Sequence, residues 1–542
     1  MYIFIGGAWP YANGSMHLGH LAALLPGDVL ARYHRQKGDN VLYVSGSDCH
    51  GTPIVLKAKS EKVSPSEIAD RFHNEFSDCF EKLGFSYDIY NRTDDPFHCD
   101  KVKEIIKEIY KNGYIIEKEV KELYCENCKM ALADRFVEGT CPVCKKDARG
   151  DQCDHCGTLL DPLELENKRC KTCNSEPIEK NEKQLFFRLS AFQEKLEKYL
   201  STRSDWRKNS LAMTARYLNE GLVDRALSRD LPWGIDVPIE GFENKKIYVW
   251  FDAVLGYLTS SIKLSQERDF DWKYFWSKNA KSYFVHGKDN IPFHSLILPA
   301  QLMAFSDLKL PEQLVSSEYL TLENRKFSTS QNWAVWVPDV VNKYNPDSIR
   351  YFLLSNGPEK KDADFSWREF LNANNSELLG AYGNLINRTL VFLKNNFGSV
   401  VPQISDKEIN LEIENELTTL FDKVSELIEK AEFKAAIENI FSSIRNINKY
   451  FDEEKPWITV KENKKACEVT IYNCINAIKS FAVLLNPFIP FSSEKVLSWL
   501  SCDNSWKYER IKPGISVAEP KILFDRLDKK IIDEELSKLG NN

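Results

Sequence analysis

Eight of the fourteen cysteines fall into four Cys-x-x-Cys pairs, Cys125/Cys128, Cys141/Cys144, Cys153/Cys156 and Cys170/Cys173. Each pair can bring two thiolates onto one cation, and two pairs complete a closed tetrahedral site, so eight ligands predict two structural zinc ions. Consecutive and nested pairing are both sterically feasible. A redox dithiol would need a thioredoxin-like βαβ setting, which this stretch rich in Cys, Lys, Asp and Gly lacks. Metal binding would supply folding energy to a module with little core. His155, inside one pair, reads as a bystander. A second candidate for chemistry is AWPYANGSMHLGH, residues 8–20, where His17 and His20 flank Leu18 and Gly19 at a helix start. Imidazole donors there join the unpaired N–H groups and positive dipole end of the helix, a setting for a triphosphate. Gly19 lets an adenine or ribose approach the backbone.

The elements around these residues must hold them in place. YIFIGG, HLGHLAALLPGDVLARYHRQ and NVLYVSGSD read as strand, helix and strand, with Gly38 ending the helix. Pro26 and Gly27 predict a kink there or two short segments. A second α/β pattern follows at residues 281–321: KSYFVHG as strand, IPFHSLILPAQLMAF as helix and EQLVSSEYLTL as strand. The cysteine-rich stretch, roughly residues 116–180, lies between the two halves as an insertion. From about residue 371 apolar residues recur at helical spacing, as in Leu411, Ile413, Leu417, Leu420, Val424, Leu427 and Ile428. The fold class is therefore α/β: a split Rossmann-type parallel sheet, an inserted zinc-binding connective domain and a C-terminal α-helical bundle. The expected boundaries are 1–115, 116–225, 226–320, 321–370 and 371–542.

The 542 residues carry a formal net charge of −7, which excludes a uniformly basic coat for nonspecific nucleic-acid binding but permits a local basic surface. Neither a signal peptide nor a membrane-length apolar run is visible, and paired Cys-x-x-Cys cysteines suit a reducing compartment, so a cytoplasmic protein is expected. Cys49, Cys79, Cys99, Cys467, Cys474 and Cys502 are scattered and read as structural.

PYANGSMHLGH resembles the HIGH signature of class I aminoacyl-tRNA synthetases, and its first residues resemble the methionyl-tRNA synthetase family in particular. SGSDCHGTPI, ALSRDLPWGIDVP, IYVWFDAVLGY, HGKDNIPFHS and GNLINR resemble further blocks of that family in the expected order. The leucine, isoleucine and valine synthetases share the HIGH-type start but carry a large editing domain for which this chain is too short.

The resemblance implies ATP-dependent activation of L-methionine and transfer to tRNA(Met). It implies a methionine pocket of Ala8, Trp9, Tyr11, Asp48, Arg229, Trp250, Ala253, Tyr257 and His294. Aromatic walls suit a polarisable thioether, Asp48 could accept the substrate ammonium, and Arg229 would steady that aspartate. Trp9 stands where many relatives have leucine, which implies a reshaped wall. Asn13, Gly19, Gly287 and Asp289 are implied ATP contacts, and Asn384, Arg388 and Trp457 are implied readers of the anticodon. Single-zinc relatives keep either the inner or the outer cysteine pairs, which favours nesting. Mg2+ is expected with ATP, and a monomer is favoured, with no membrane partner. The last stretch, DKKIIDEELSKLGNN, reads as a solvated helix.

RKFSTSQ, residues 325–331, occupies the place of the family's KMSKS loop, whose second lysine grips the departing pyrophosphate; here that position is Thr329. Losing one preorganised charged donor costs on the order of 3 kcal/mol, about a hundredfold in rate. Either Lys326 or Arg325 is expected to compensate, with Ser328, Thr329 and Ser330 as hydroxyl or backbone donors. The catalytic set is then His17, His20, Arg325 and Lys326. Two other readings are a methionine-adenylating paralogue that no longer charges tRNA, suggested by Thr329 and Trp9, and a non-catalytic zinc-stabilised RNA-binding protein. The three anticodon-type residues oppose the first, and the intact HLGH opposes the second.

Overall fold

A computed structural model describes residues 1–132, 136–150, 153, 155, 156, 158 and 160–540, with the side chain of Ser330 outside the described set. Five parallel strands form the central sheet: β1 (Tyr2–Gly7), β2 (Asn40–Ser47), β3 (Ile89–Arg92), β4 (Lys281–Gly287) and β5 (Gln313–Ser317), in the order β5-β4-β1-β2-β3. Their near-continuous apolar runs are buried, as parallel strands covered on both faces must be. Strands are added to one side of β1 first and then to the other, so the strand order reverses between β1 and β4, the switch point at which open α/β sheets bind ligands.

Helix α1 (Leu18–Gln36) connects β1 to β2 and runs through Pro26 without interruption. The expected pair of short segments does not form. The helix is buried between sheet and bundle, and Gly27, which has no Cβ, sits directly on the Tyr43 ring. Packing on two sides outweighs the one backbone hydrogen bond that proline removes.

EQLVSSEYLTL also differs from its single-strand reading. It leaves the central sheet after Ser317, and Leu320–Leu322 pairs instead with Arg325–Lys326 and Ala363–Phe365 in a separate three-stranded sheet. Glu318 marks the break, with its N–H donating to Pro358 O and its carboxylate held by Lys288 at 2.7 Å. This small sheet carries the 325–331 loop.

The insertion leaves and returns on two long antiparallel strands, Ile115–Cys125 and Ile178–Phe187, with the cysteine clusters beyond them. Helices Leu411–Glu429, Phe433–Glu454 and Lys464–Leu485 form the core of the C-terminal bundle. The expected stripe is buried except for Leu427, which is half-buried, and Leu411, which is 62% exposed at the first turn of its helix. The closing helix, Lys530–Leu536, is not simply solvated. Its Glu535 is buried against Lys343, Tyr344 and Lys538. Among the described residues no helix is long and apolar enough to cross a membrane.

Candidate active site and metal clusters

A cleft of about 1310 Å³ opens at the switch point, between the segment after β1, the start of α1, the turn after β4 and the 325–331 loop. His17 is the N-cap of α1, and its Nδ1 accepts from Gly19 N at 3.1 Å. His20 Nδ1 accepts from His17 N at 3.2 Å, so the two imidazoles form a reciprocal capping box. Both Nδ1 atoms are therefore acceptors, and each neutral ring carries its proton on Nε2. Burial pulls His17 down to about 2, with His20 adding to the effect. His20, whose ring reaches the open cleft, is lowered to about 4, again chiefly by burial. The rings lie 3.9 Å apart, and a Cβ on Gly19 would come within 2.9 Å of the His17 ring.

Facing them, Lys326, Phe327 and Thr329 line the cleft. Phe327 stacks on His17 at 4.6 Å and 13°. Arg325 turns the other way: its guanidinium contacts Gln331 and lies 4.7 Å over the Trp333 ring. It is not among the cleft-lining side chains. Ser328 lies at the base of the loop, exchanging backbone hydrogen bonds with Trp333 at 3.0 and 2.9 Å. The role expected of the Ser330 side chain falls outside the described residues.

Asn13, Gly287 and Asp289 line the same cleft, and Asp289 accepts a hydrogen bond from the Tyr319 hydroxyl. Lys288, also in the lining, is ion-paired to Glu318 at 2.7 Å and Asp362 at 3.0 Å. Ala8, Trp9, Tyr11 and Trp250 form the inner wall. Trp250 stacks on Phe293 at 4.1 Å, and Tyr11 meets Trp250 edge-on at 5.4 Å. Trp9 fits a slot between Gly46 and Gly256; a Cβ on either would come within 2.4 or 2.7 Å of the indole.

Tyr257 and His294 lie one layer deeper. His294 Nδ1 donates to Asn290 O at 2.8 Å, so Nε2 accepts from the Tyr257 hydroxyl, also at 2.8 Å. A wide π-turn, Phe293–Ile297, presents His294 from this wall. Ala253 is buried behind Trp250 in the short helix Val249–Ala253. Asp48 is bridged by backbone pairing to Tyr11 and is fully buried, and Arg229 packs 4.5 Å over the Tyr248 ring.

Sequence reasoning missed Asp252 and His50. His50 Nδ1 lies 2.7 Å from Asp252 Oδ2, while Asp252 Oδ1 has no hydrogen-bond partner among the described residues. Burial, and then the neighbouring Asp252, push Asp48 well above the ordinary carboxylate range. Burial also raises Asp252, against the pull of His50. Two carboxyls buried side by side favour an incoming cation. The signal was a lone carboxylate inside the apolar run VWFDA, beside Trp250 and Ala253.

The eight paired cysteines form two clusters, Cys125/Cys128/Cys170/Cys173 and Cys141/Cys144/Cys153/Cys156, with all Sγ atoms in each within 4.8 Å of one another. The nested arrangement is thus the one found. Lys129, Lys145 and Asn174, each following the second cysteine of its pair, have φ of 53°, 59° and 61°, the tight turn that points two thiols inward. Hydrogen bonds from Thr158 and Ser175 pull the outer thiols of Cys156 and Cys173 down to about 6. Either cluster could hold one metal ion in a closed tetrathiolate.

In the bundle, Asn384 and Arg388 lie one turn apart on helix Asn384–Phe397. Arg388 covers the Phe451 ring at 3.9 Å and pairs with Asp452 at 2.6 Å. Phe451 in turn meets Trp457, which is 49% exposed, at 6.3 Å.

A switch-point cleft with a histidine-capped helix on one side and a lysine-bearing loop on the other has the layout of a class I aminoacyl-tRNA synthetase. The family model for tRNA synthetases class I (M) matches residues 3–390, and that for the anticodon binding domain of methionyl tRNA ligase matches residues 401–541. The chain is 60% identical to methionine--tRNA ligase 1 of Alkaliphilus oremlandii, with both chains covered in full. It is 52% identical to a methionine--tRNA ligase of Bacillus cereus over 99% of each. A crystal structure of Mycobacterium tuberculosis methionyl-tRNA synthetase bound by methionyl-adenylate shares the fold at a TM-score of 0.79 and 24% identity, covering 97% of this chain and 99% of that one. The chain belongs to the methionyl-tRNA synthetase family.

Proposed function

We infer that the protein is a methionine--tRNA ligase. The carboxylate of methionine attacks the α-phosphorus of ATP, the bond to pyrophosphate breaks, and a ribose hydroxyl at the tRNA end then displaces AMP from the acyl carbon. The observation that carries the reading is the capping box: both Nδ1 atoms serve the helix, which leaves two Nε2–H donors and the N-terminus of α1 for phosphate oxygens. Neutral rings suit this role because they donate without needing to change protonation. Lys326 faces them as the pyrophosphate grip in place of the lysine missing at Thr329, and its position in the cleft favours it over Arg325. Mg2+ would enter with the ATP phosphates.

Methionine would lie against Trp9, Tyr11 and Trp250, with Tyr257 and His294 beneath. Its ammonium would neutralise the Asp48–Asp252 pair. Asn13, Gly287 and Asp289 would contact ATP. Zinc fits both tetrathiolate clusters, since soft thiolates in a closed site select it. Asn384, Arg388 and Trp457 offer an amide, a guanidinium and an exposed indole on one face of the bundle, the groups that bond and stack unpaired anticodon bases. A monomer acting in the cytoplasm completes the reading.

The test is methionine-dependent ATP–pyrophosphate exchange followed by charging of tRNA(Met) in one preparation. Exchange without charging would favour an adenylating paralogue, and the absence of both would remove the enzymatic reading.

A further inference from the structure

The segment after the bundle runs back across the molecule and ends on the 325–331 loop. Leu523 O accepts from Asn345, Asp525 O from Asn374, and Leu527 exchanges two hydrogen bonds of 2.9 Å with Asn375. Glu535, only 6% exposed, then binds Lys343, the Tyr344 hydroxyl at 2.8 Å and Lys538 at 2.7 Å. At the tip, Gly540 N donates to Asn332 O at 3.1 Å, and Asn332 Nδ2 donates to Lys538 O at 3.4 Å.

Asn332 is the pivot of the loop. With φ of 47° it closes the turn Thr329–Gln331, and its N–H donates to Thr329 O. Its Oδ1 accepts from Trp336 Nε1 at 3.2 Å, and Trp336 is paired through the backbone with His17. Leu18 N to Val335 O and Val337 N to Met16 O, at 3.0 and 2.8 Å, complete that seam. One chain of contacts therefore joins the tail, the loop pivot and the histidine-capped end of α1.

We propose that residues 523–540 are a strap that sets the position of the ATP loop, with Glu535 and the Gly540–Asn332 contact as its positioning elements. Without the lysine at position 329, the loop holds fewer groups that could pull it onto ATP. Fixing its pivot lowers the conformational cost of bringing Lys326 to the phosphates. The strap acts on ATP and leaves methionine, bound on the other wall, untouched. The proposal rests on the reading of residues 325–331 as the ATP loop.

Two full-length variants test it. Glu535→Gln removes the buried charge, and Gly540→Val puts a β-branched residue at φ of 74°, straining only the tip. Gly540→Asn, which tolerates that backbone, is the rescue. In Glu535→Gln and Gly540→Val alike, amide hydrogen exchange of residues 325–333 should quicken and the KM for ATP in the exchange assay should rise by about five- to tenfold, the scale of one lost neutral hydrogen bond. The KM for methionine should hold, and Gly540→Asn should restore both readouts. Unchanged loop amides, or KM values for ATP and methionine rising together, would overturn the strap. If Glu535→Gln lowers the unfolding temperature, Gly540→Val decides. Loss of methionine-dependent activity in the unaltered protein would refute the functional reading instead, and the hydrogen-exchange result still decides the strap.

Discussion

The two walls of the cleft are built on opposite plans. On one side His17 and His20 are locked to the first turn of α1, each with one ring nitrogen committed to backbone. On the other side Lys326 and Thr329 sit on a two-residue strand and a short turn, held at the base by Asn332 and Trp333. On the proposed function, the two walls divide the labour. Donors that meet developing charge gain most from being fixed beforehand, whereas the group that follows the leaving pyrophosphate must admit ATP and release products.

The largest effect should come from breaking the fixed wall. His17→Ala removes a donor and the N-cap together, and the rate of methionine-dependent exchange is expected to fall about a hundredfold or more, with about 1 kcal/mol lost from unfolding stability in a denaturant titration. Gly19→Ala keeps both imidazoles but drives a Cβ to within 2.9 Å of the His17 ring. An intermediate loss of about tenfold in kcat is expected, because the ring is displaced by a fraction of its productive position. Phe327→Ala sharpens the contrast from the loop side. Losing a stacking contact of about 1 kcal/mol should shift the KM for ATP by no more than about fivefold in either direction.

A smaller effect should appear in acid. Burial holds His34 at about 4, His98 at about 3 and His294 at about 4, each below the ordinary value of 6.5. The unfolded chain therefore takes up protons first as pH falls. Stability from these neutral rings is complete above about pH 6.5 and declines below it, by at most about 1.4 kcal/mol per pH unit for each ring. Urea midpoints measured between pH 7.5 and 5 check this, and a midpoint that stays level or rises toward pH 5 contradicts it.

The fixed wall was the more legible in the sequence. PYANGSMHLGH is contiguous, so its neighbours in the chain are its neighbours in space, and the order of strand and helix put it at a helix start. The metal clusters were legible for a similar reason, since four pairs within fifty residues leave few ways to fold, and the family likeness chose nesting. What could not be read came from contacts distant in the chain. Asp252 meets His50 across 202 residues, and Glu535 meets Tyr344 across 191. At Pro26 burial kept α1 in one piece where the sequence allowed either a kink or two short segments, and the Lys288–Glu318 pair marks where EQLVSSEYLTL divides instead of forming one strand. Arg325 and Lys326 are adjacent in sequence, and only the alternation of a strand sends one to Trp333 and the other to the cleft.

That last divergence gives the most direct test. Methionine-dependent ATP–pyrophosphate exchange is measured for Lys326→Ala and Arg325→Ala under identical conditions. Lys326→Ala should lose about a hundredfold, the scale of one preorganised charged donor, and Arg325→Ala no more than about threefold. A hundredfold loss in Arg325→Ala with near-normal exchange in Lys326→Ala would contradict the role given to Lys326.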